Sequence, residues 1–148
     1  MRFLGIDYGR VRLGLALSDE DGVIAHPLPV LRRAGSPADL EAIRELVVDR
    51  AIERIIVGCP RNMDGSTGEM AEEVMAFVAR LEQAVSVPVD TFDERLTSVE
   101  ADRVLREARA PRRKRRTLRD GLAAVLILQG YLDASRRVGR DESAPPTE

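Results

Sequence analysis

The alternation of apolar and polar residues predicts three β-strands near the start of the chain, at about residues 2–8, 12–18 and 23–30. The connections between them are short and contain the turn sequences "YGR" and "DEDG". Strands joined by such short turns pair antiparallel. The sequence therefore predicts that the chain begins with three antiparallel β-strands.

Helical and buried-strand patterns alternate after this unit. Ser36 is a predicted N-cap with Pro37 at the first helical position, and apolar residues then recur at helical spacing to about Arg50. "RIIVGC" is a continuous apolar run typical of a central parallel strand, and "VPVDTF" predicts a fifth strand. A capping box of Ser66 and Glu69 predicts a second helix between these two strands.

Two more helices are predicted in the last third of the chain. A capping box of Thr97 and Glu100 begins the third helix, and Thr117 caps the last one after the interruption "APRRKRR". The order βββαβαβαα predicts an α/β domain over residues 1–136, with a mixed five-stranded sheet flanked by helices. Residues 137–148 have the composition of a disordered tail.

Composition narrows the class of protein. The 148 residues are 44% hydrophobic but only 3% aromatic, which predicts one domain with an aliphatic core. The single cysteine, Cys59, allows neither an intrachain disulfide nor a multi-cysteine zinc site, and it favours a reducing, cytoplasmic setting. His26, the only histidine, has no partner for a catalytic triad and is predicted to be a strand residue. No stretch approaches the roughly 18 apolar residues of a membrane span, so we expect a soluble protein with no membrane partner.

Acidic residues recur where predicted elements begin or end. Asp7 ends the first strand, Asp93 and Glu94 end the fifth, and Asp120 lies in the first turn of the last helix. Two carboxylates about 4 Å apart repel by roughly 4 kcal/mol at an effective dielectric near 20, so a cluster favours a bound divalent cation. The alternatives are a turn former at Asp7, a helix-dipole partner at Asp120, and ion pairs of the strand-end acids with Arg95.

Positive charge is concentrated in one segment. The net charge is only −2, yet residues 103–119 contain nine basic side chains and one acid. The run "PRRKRR", residues 111–116, comes just before Asp120 and predicts contacts with backbone phosphates. The alternative is a solvated connection between two helices.

Four segments occur in order along most of the chain: "GIDYGRVRLGLALSD", "VGCPRNMDGSTGEMA", "FDERLTSVEAD" and "RDGLAAVLILQGYLD". Together they resemble the YqgF family, also called RuvX. The resemblance implies an RNase H-like fold related to the RuvC Holliday junction resolvases. It also implies a metal-dependent endonuclease that processes the 5′ end of pre-16S rRNA, resolves Holliday junctions, or does both.

The resemblance also implies the site. Its acidic triad falls on Asp7, Glu94 and Asp120, which are the predicted catalytic residues and the predicted ligands of two Mg²⁺ or Mn²⁺ ions. The predicted nucleic-acid contacts are Arg10, Arg12, Asn62, Asp64, Ser66, Arg112, Arg113, Lys114, Arg115 and Arg116.

The expected partner is nucleic acid, either precursor rRNA or branched DNA, and analogy with resolvases predicts a homodimer. Two other functions stay open at this point. One is a nucleic-acid-binding, ribosome-assembly module without useful nuclease activity. The other is an ATP-binding module of the actin, Hsp70 and sugar-kinase type, because "GIDYG" opens a hairpin; such proteins need two related lobes, and this chain has the length of one.

Overall fold

The computed structural model describes residues 1–60, 68–96 and 122–136. The elements are β1 (Phe3–Asp7), β2 (Arg12–Ser18), β3 (Ala25–Arg32), α1 (Ala38–Asp49), β4 (Arg54–Cys59), α2 (Glu69–Ala84), β5 (Val89–Asp93), a 3₁₀ turn (Glu94–Leu96) and α3 (residues 122–136). The predicted helix after Thr97, the basic run and the predicted tail lie outside these residues.

The five strands form one mixed sheet in the order β3-β2-β1-β4-β5. β1 and β2 pair antiparallel, as do β2 and β3, whereas β4 pairs parallel with both β1 and β5. This confirms the predicted mixed sheet, and the structure places β1 at its centre. The apolar run of β4 is buried between two strands, which is why it shows no alternation.

Helices cover both faces of the sheet. Leu4 and Ile6 of β1 belong to the apolar cluster that includes residues of α1 and α2. Gly5, between them, faces α3, because a Cβ built on it would lie 2.7 Å from Leu128 Cβ. Period-two alternation thus assigns successive residues of one central strand to two cores.

The core is aliphatic, as its composition predicts. Its largest fully buried side chains are leucine, isoleucine and valine. Cys59 is 3% exposed and packs as a small side chain in the α1/α2 core. Within the described ranges, no helix is long and apolar enough to cross a membrane.

β3 lies at one edge of the described sheet, and half of its residues are exposed. Pro27 and Pro29 lack an N–H group, so they interrupt the row of donors that another strand would need for pairing. His26 lies in this strand, as predicted, and its side chain is exposed.

The helix starts differ from the sequence prediction. Ser36 is not the N-cap of α1: Pro37 holds that position, without a side-chain cap. Asp39 organises this loop instead, since its Oδ1 accepts the Ala34 N–H at 2.8 Å. α2 likewise begins at Glu69 after Gly68, with no side-chain cap, so the predicted capping box does not form its start.

Candidate active site

The predicted acids of β1 and β5 lie at the same edge of the sheet. Asp7 is the last residue of β1, and Glu94 directly follows Asp93, the last residue of β5. β4 lies between these strands and is parallel to both, with Ile6 of β1 opposite Val57. The carboxyl ends of three parallel strands therefore meet where both acids lie, which is where open α/β sheets bind ligands. Both side chains are half-buried.

Gly58 of β4 makes room between them. A Cβ built on Gly58 would lie 2.9 Å from Glu94 Oε1 and 2.4 Å from Ile127 Cδ1. The Glu94 carboxylate therefore lies over β4, on the face that α3 covers, and it is directed toward β1. Sequence reasoning missed this glycine. The available signal was a glycine inside a buried strand, which often marks a close approach by another group.

The described part of α3 begins at the same end of the sheet. Leu128 and Ala124 contact the position of a Cβ on Gly5, and the helix begins its described part at residue 122. Tyr131 packs on Phe3, nearer the start of β1, so α3 runs antiparallel to that strand. Six residues of helix advance about 9 Å and two strand residues about 7 Å, so the N-terminal end of α3 lies level with the end of β1.

Asp93 and Glu94 have different surroundings. Asp93 Oδ1 accepts the Arg95 backbone N–H at 2.9 Å, and its Oδ2 lies 2.6 Å from Arg95 Nη2. The alternative of an ion pair with Arg95 is therefore realised at Asp93. Glu94 is the acid that lies over Gly58.

The donor set fits a hard divalent cation. Carboxylate oxygens are the ligands that Mg²⁺ and Mn²⁺ prefer, and the space over Gly58 would be filled by any larger residue. No group of three His, Cys, Asp or Glu side chains in the described part of the chain could hold a metal ion. Asp120, the predicted third ligand, lies outside it.

A partly buried arginine anchors the turn that follows Asp7. Arg33 Nη1 donates to the Gly9 carbonyl at 3.1 Å, and Arg33 Nε donates to Asp39 Oδ2 at 3.1 Å. Its guanidinium stacks over the Tyr8 ring, 4.9 Å from the centroid. Asp39 is only 2% exposed, so this pair is shielded from screening by solvent. Sequence reasoning missed both residues, because their pairing depends on the fold.

Arg10, between β1 and β2, and Arg12, the first residue of β2, are predicted nucleic-acid contacts that are directed to different faces of the sheet. Arg10 forms a bidentate pair with Glu73 of α2, with Nη2 2.7 Å from Oε2. This hydrogen bond lowers the pKa of Glu73 below its usual value. Arg12 is two residues from Gly14, the partner of Asp7 across β1 and β2, so alternation places Arg12 on the Asp7 face.

The remaining predicted site residues lie outside the described part of the chain. They are Asn62, Asp64, Ser66, Arg112, Arg113, Lys114, Arg115 and Arg116.

Solved structures resemble this fold. The RuvC structure from Thermus thermophilus superposes with a TM-score of 0.54 at 21% identity, covering 94% of this chain and 97% of that chain. T. thermophilus RuvC in complex with a Holliday junction substrate gives 0.51 at 22% identity, covering 92% and 96%. These likenesses confirm the predicted RuvC-like, RNase H-type α/β fold.

Sequence comparison gives the family. A relative from Moorella thermoacetica, named "Putative pre-16S rRNA nuclease", is 51% identical over 133 residues, covering 90% of this chain and 95% of the relative. One of the same name from Desulforudis audaxviator is 43% identical over 141 residues, covering 95% and 99%. The family model described as "RuvX: Holliday junction resolvase" matches residues 1–134. The chain, which has the fold and the strand-end acids that the sequence predicts, therefore belongs to the RuvX family of nucleases.

Proposed function

We propose that the chain is a metal-dependent endonuclease that hydrolyses phosphodiester bonds in structured nucleic acid. Asp7, Glu94 and Asp120 are the proposed metal ligands and catalytic residues. The observation that carries the proposal is the position of the Glu94 carboxylate, which lies over Gly58 beside the strand that ends in Asp7. The direction of α3 supports Asp120 as the third ligand, since that residue precedes the helix end nearest this edge.

Each residue has a role in this mechanism. Bound Mg²⁺ or Mn²⁺, as one ion or two, supplies positive charge to the phosphate oxygens and acidifies a water nucleophile. Asp7 and Glu94 hold that charge at the carboxyl ends of β1 and β5, and the pairing of β4 with both strands fixes the spacing of these ends. Arg33 holds the turn after Asp7 and so keeps this carboxylate oriented. Arg10, which pairs with Glu73 on the α2 side, contacts a phosphate only after releasing Glu73, and that release costs about 0–1 kcal/mol for an exposed ion pair.

The proposed substrates follow from the names of the relatives and of the structural neighbours. Proteins related to this chain are named for pre-16S rRNA, and a RuvC structure contains a Holliday junction. We propose precursor 16S rRNA near its 5′ end, a four-way DNA junction, or both as substrates, and a cytoplasmic site of action. A symmetric junction needs two cuts, so we further propose a homodimer for that reaction.

The test compares cleavage of a precursor rRNA and a four-way junction, side by side, in Mg²⁺, Mn²⁺ and Ca²⁺. We expect turnover with Mg²⁺ or Mn²⁺, and binding with little cleavage in Ca²⁺, which is larger and less demanding in geometry. Asp7→Asn, Glu94→Gln and Asp120→Asn should each lower the cleavage rate by about 100-fold or more, as expected when several kcal/mol of charge stabilisation are lost.

Folding and chemistry are separated by controls. Metal-free thermal unfolding of the three variants should be unchanged or occur at higher temperature, because each substitution removes like-charge repulsion. Glu82→Gln, an exposed residue of α2, removes a carboxylate elsewhere and should leave cleavage intact. Full activity in excess chelator would refute the metal site, and binding without cleavage under every metal would favour the assembly module.

A further inference from the structure

Two arginines oppose each other across β2 and β3. Arg12 pairs with Arg32 in the register of these strands. The adjacent backbone is well fixed, since the Arg33 N–H donates to the Val11 carbonyl at 2.9 Å. Like charges directly opposite on neighbouring strands destabilise a sheet. The charges of Arg12 and Arg32 therefore do not stabilise the pairing of β2 with β3.

The pair lies on the face that holds the carboxylates. Leu13 and Leu31, the next residues inward on each strand, pack into the α1/α2 core. Strand alternation then directs Arg12 and Arg32 to the opposite face, the one covered by α3. Asp7 and its partner Gly14 belong to that face. Because β2 is antiparallel to β1, Arg12 lies just beyond the end of β1.

The surroundings of Arg32 differ from those of Arg10. Arg10 is drawn toward α2, on the other face, by its bidentate pair with Glu73. Arg32 is exposed, and it makes no hydrogen bond or ion pair within residues 1–60, 68–96 and 122–136. Its guanidinium can therefore bind an incoming anion without first losing a partner in that part of the protein.

We propose that the Arg12–Arg32 pair binds backbone phosphates beside the one that is cleaved, so that the nucleic acid crosses the sheet from β5 and β1 toward the β3 edge. This inference rests on the proposed nuclease function and adds Arg32 to its binding surface. Strands lie about 4.8 Å apart, so the Arg32 backbone is about 10 Å to the side of β1. That offset suits contact with a flanking phosphate, whereas the carboxylates bind the metal at the cleaved one.

The test measures salt-dependent binding by the full chain. A fluorescein-labelled four-way DNA junction is titrated in Ca²⁺ between 50 and 200 mM KCl, and the slope of log affinity against log salt is compared among variants. Arg32→Gln should flatten the slope by about 0.9, so the affinity lost over this range shrinks about threefold. Arg32→Lys should keep the wild-type slope, because it keeps the charge. Arg80→Gln, at an exposed α2 residue on the other face, is the matched control and should change neither slope nor cleavage.

Each outcome decides the proposal. A flattened slope for Arg32→Gln, with a thermal midpoint at or above that of the wild type, supports it, since removing the like charge relieves repulsion between the two strands. A slope equal to that of Arg80→Gln overturns it. If the wild type cleaves with Mg²⁺ or Mn²⁺ while the Arg32→Gln slope is unchanged, only this inference fails. If the wild type shows no metal-dependent cleavage, the proposed function itself fails, whatever the slope.

Discussion

At the scale of single residues, Gly58 affects both the packing of the core and the position of a proposed metal ligand. Its missing side chain leaves the space that Glu94 Oε1 and Ile127 Cδ1 occupy. Gly58→Ala should lower the free energy of unfolding by about 1–3 kcal/mol, as overpacking does. It should also raise the Mn²⁺ concentration needed for half-maximal cleavage, because the added methyl group displaces the Glu94 carboxylate. Chemical denaturation without metal and a metal titration of cleavage measure the two effects separately.

A second substitution separates packing from metal binding at this residue. Gly58→Ala/Ile127→Val removes the contacted Cδ1 and should recover part of the lost stability, while the metal requirement stays high because the contact with Glu94 remains. Gly5→Ala is the matched control, since its added Cβ presses on Leu128 and not on a carboxylate. An unchanged metal requirement in Gly58→Ala would contradict the assignment of Glu94 as a ligand.

At the scale of elements, the C-terminal end of α1 contains one residue with a strained backbone, Ala51, and a substitution there can relieve the strain. The Ala51 N–H donates to the Val48 carbonyl at 3.3 Å and the Ile52 N–H to the Val47 carbonyl at 3.0 Å, the paired bonds of a Schellman motif. Ala51 has φ of 52°, in the left-handed region where glycine is preferred. It is also exposed, so its methyl group adds little packing.

Ala51→Gly should therefore stabilise the protein. We expect the free energy of unfolding to rise by about 0.5–1 kcal/mol, since relief of the left-handed strain exceeds the extra entropy of glycine in the unfolded chain. The thermal midpoint should rise by roughly 2–4 °C for each kcal/mol. Ala79→Gly, at an exposed interior position of α2, is the control and should instead cost about 1 kcal/mol. Destabilisation by both substitutions would show that the motif is not strained.

At the scale of the whole molecule, the family match and the described cores end at nearly the same place. The match covers residues 1–134, and the last core-packed residue of the described part is Ala134. We propose residues 1–136 as the nuclease domain. A chain ending at Arg136 should keep the thermal midpoint and the cleavage rate of the full chain.

A shorter truncation is the control for this boundary. A chain ending at residue 130 loses Leu132, which is 1% exposed in the core under α3, and Tyr131, which packs on Phe3 and Phe92. Losing these side chains should cost several kcal/mol and unfold much of the protein. A large loss of stability already at Arg136 would place the domain boundary later in the chain.

The sequence by itself determined the order of the strands and helices in the described part of the chain. The early strands show a period-two pattern of apolar residues, and β4 shows a continuous apolar run. Both patterns depend only on residues that are close together along the chain. For the same reason Asp7 could be placed at a strand end. The helix starts were predicted less well, because the loop before α1 is organised by Asp39 and its contact with Arg33, which no local pattern reveals.

Tertiary structure alone decided which of these residues meet. Glu94, and not its neighbour Asp93, lies over β4 because Gly58 leaves space there. Arg32 opposes Arg12 only after the register between β2 and β3 shifts between Leu13 and Leu15. The physical reason is that periodicity fixes the face on which a side chain lies, whereas register and the contacts across strands depend on pairing between distant segments.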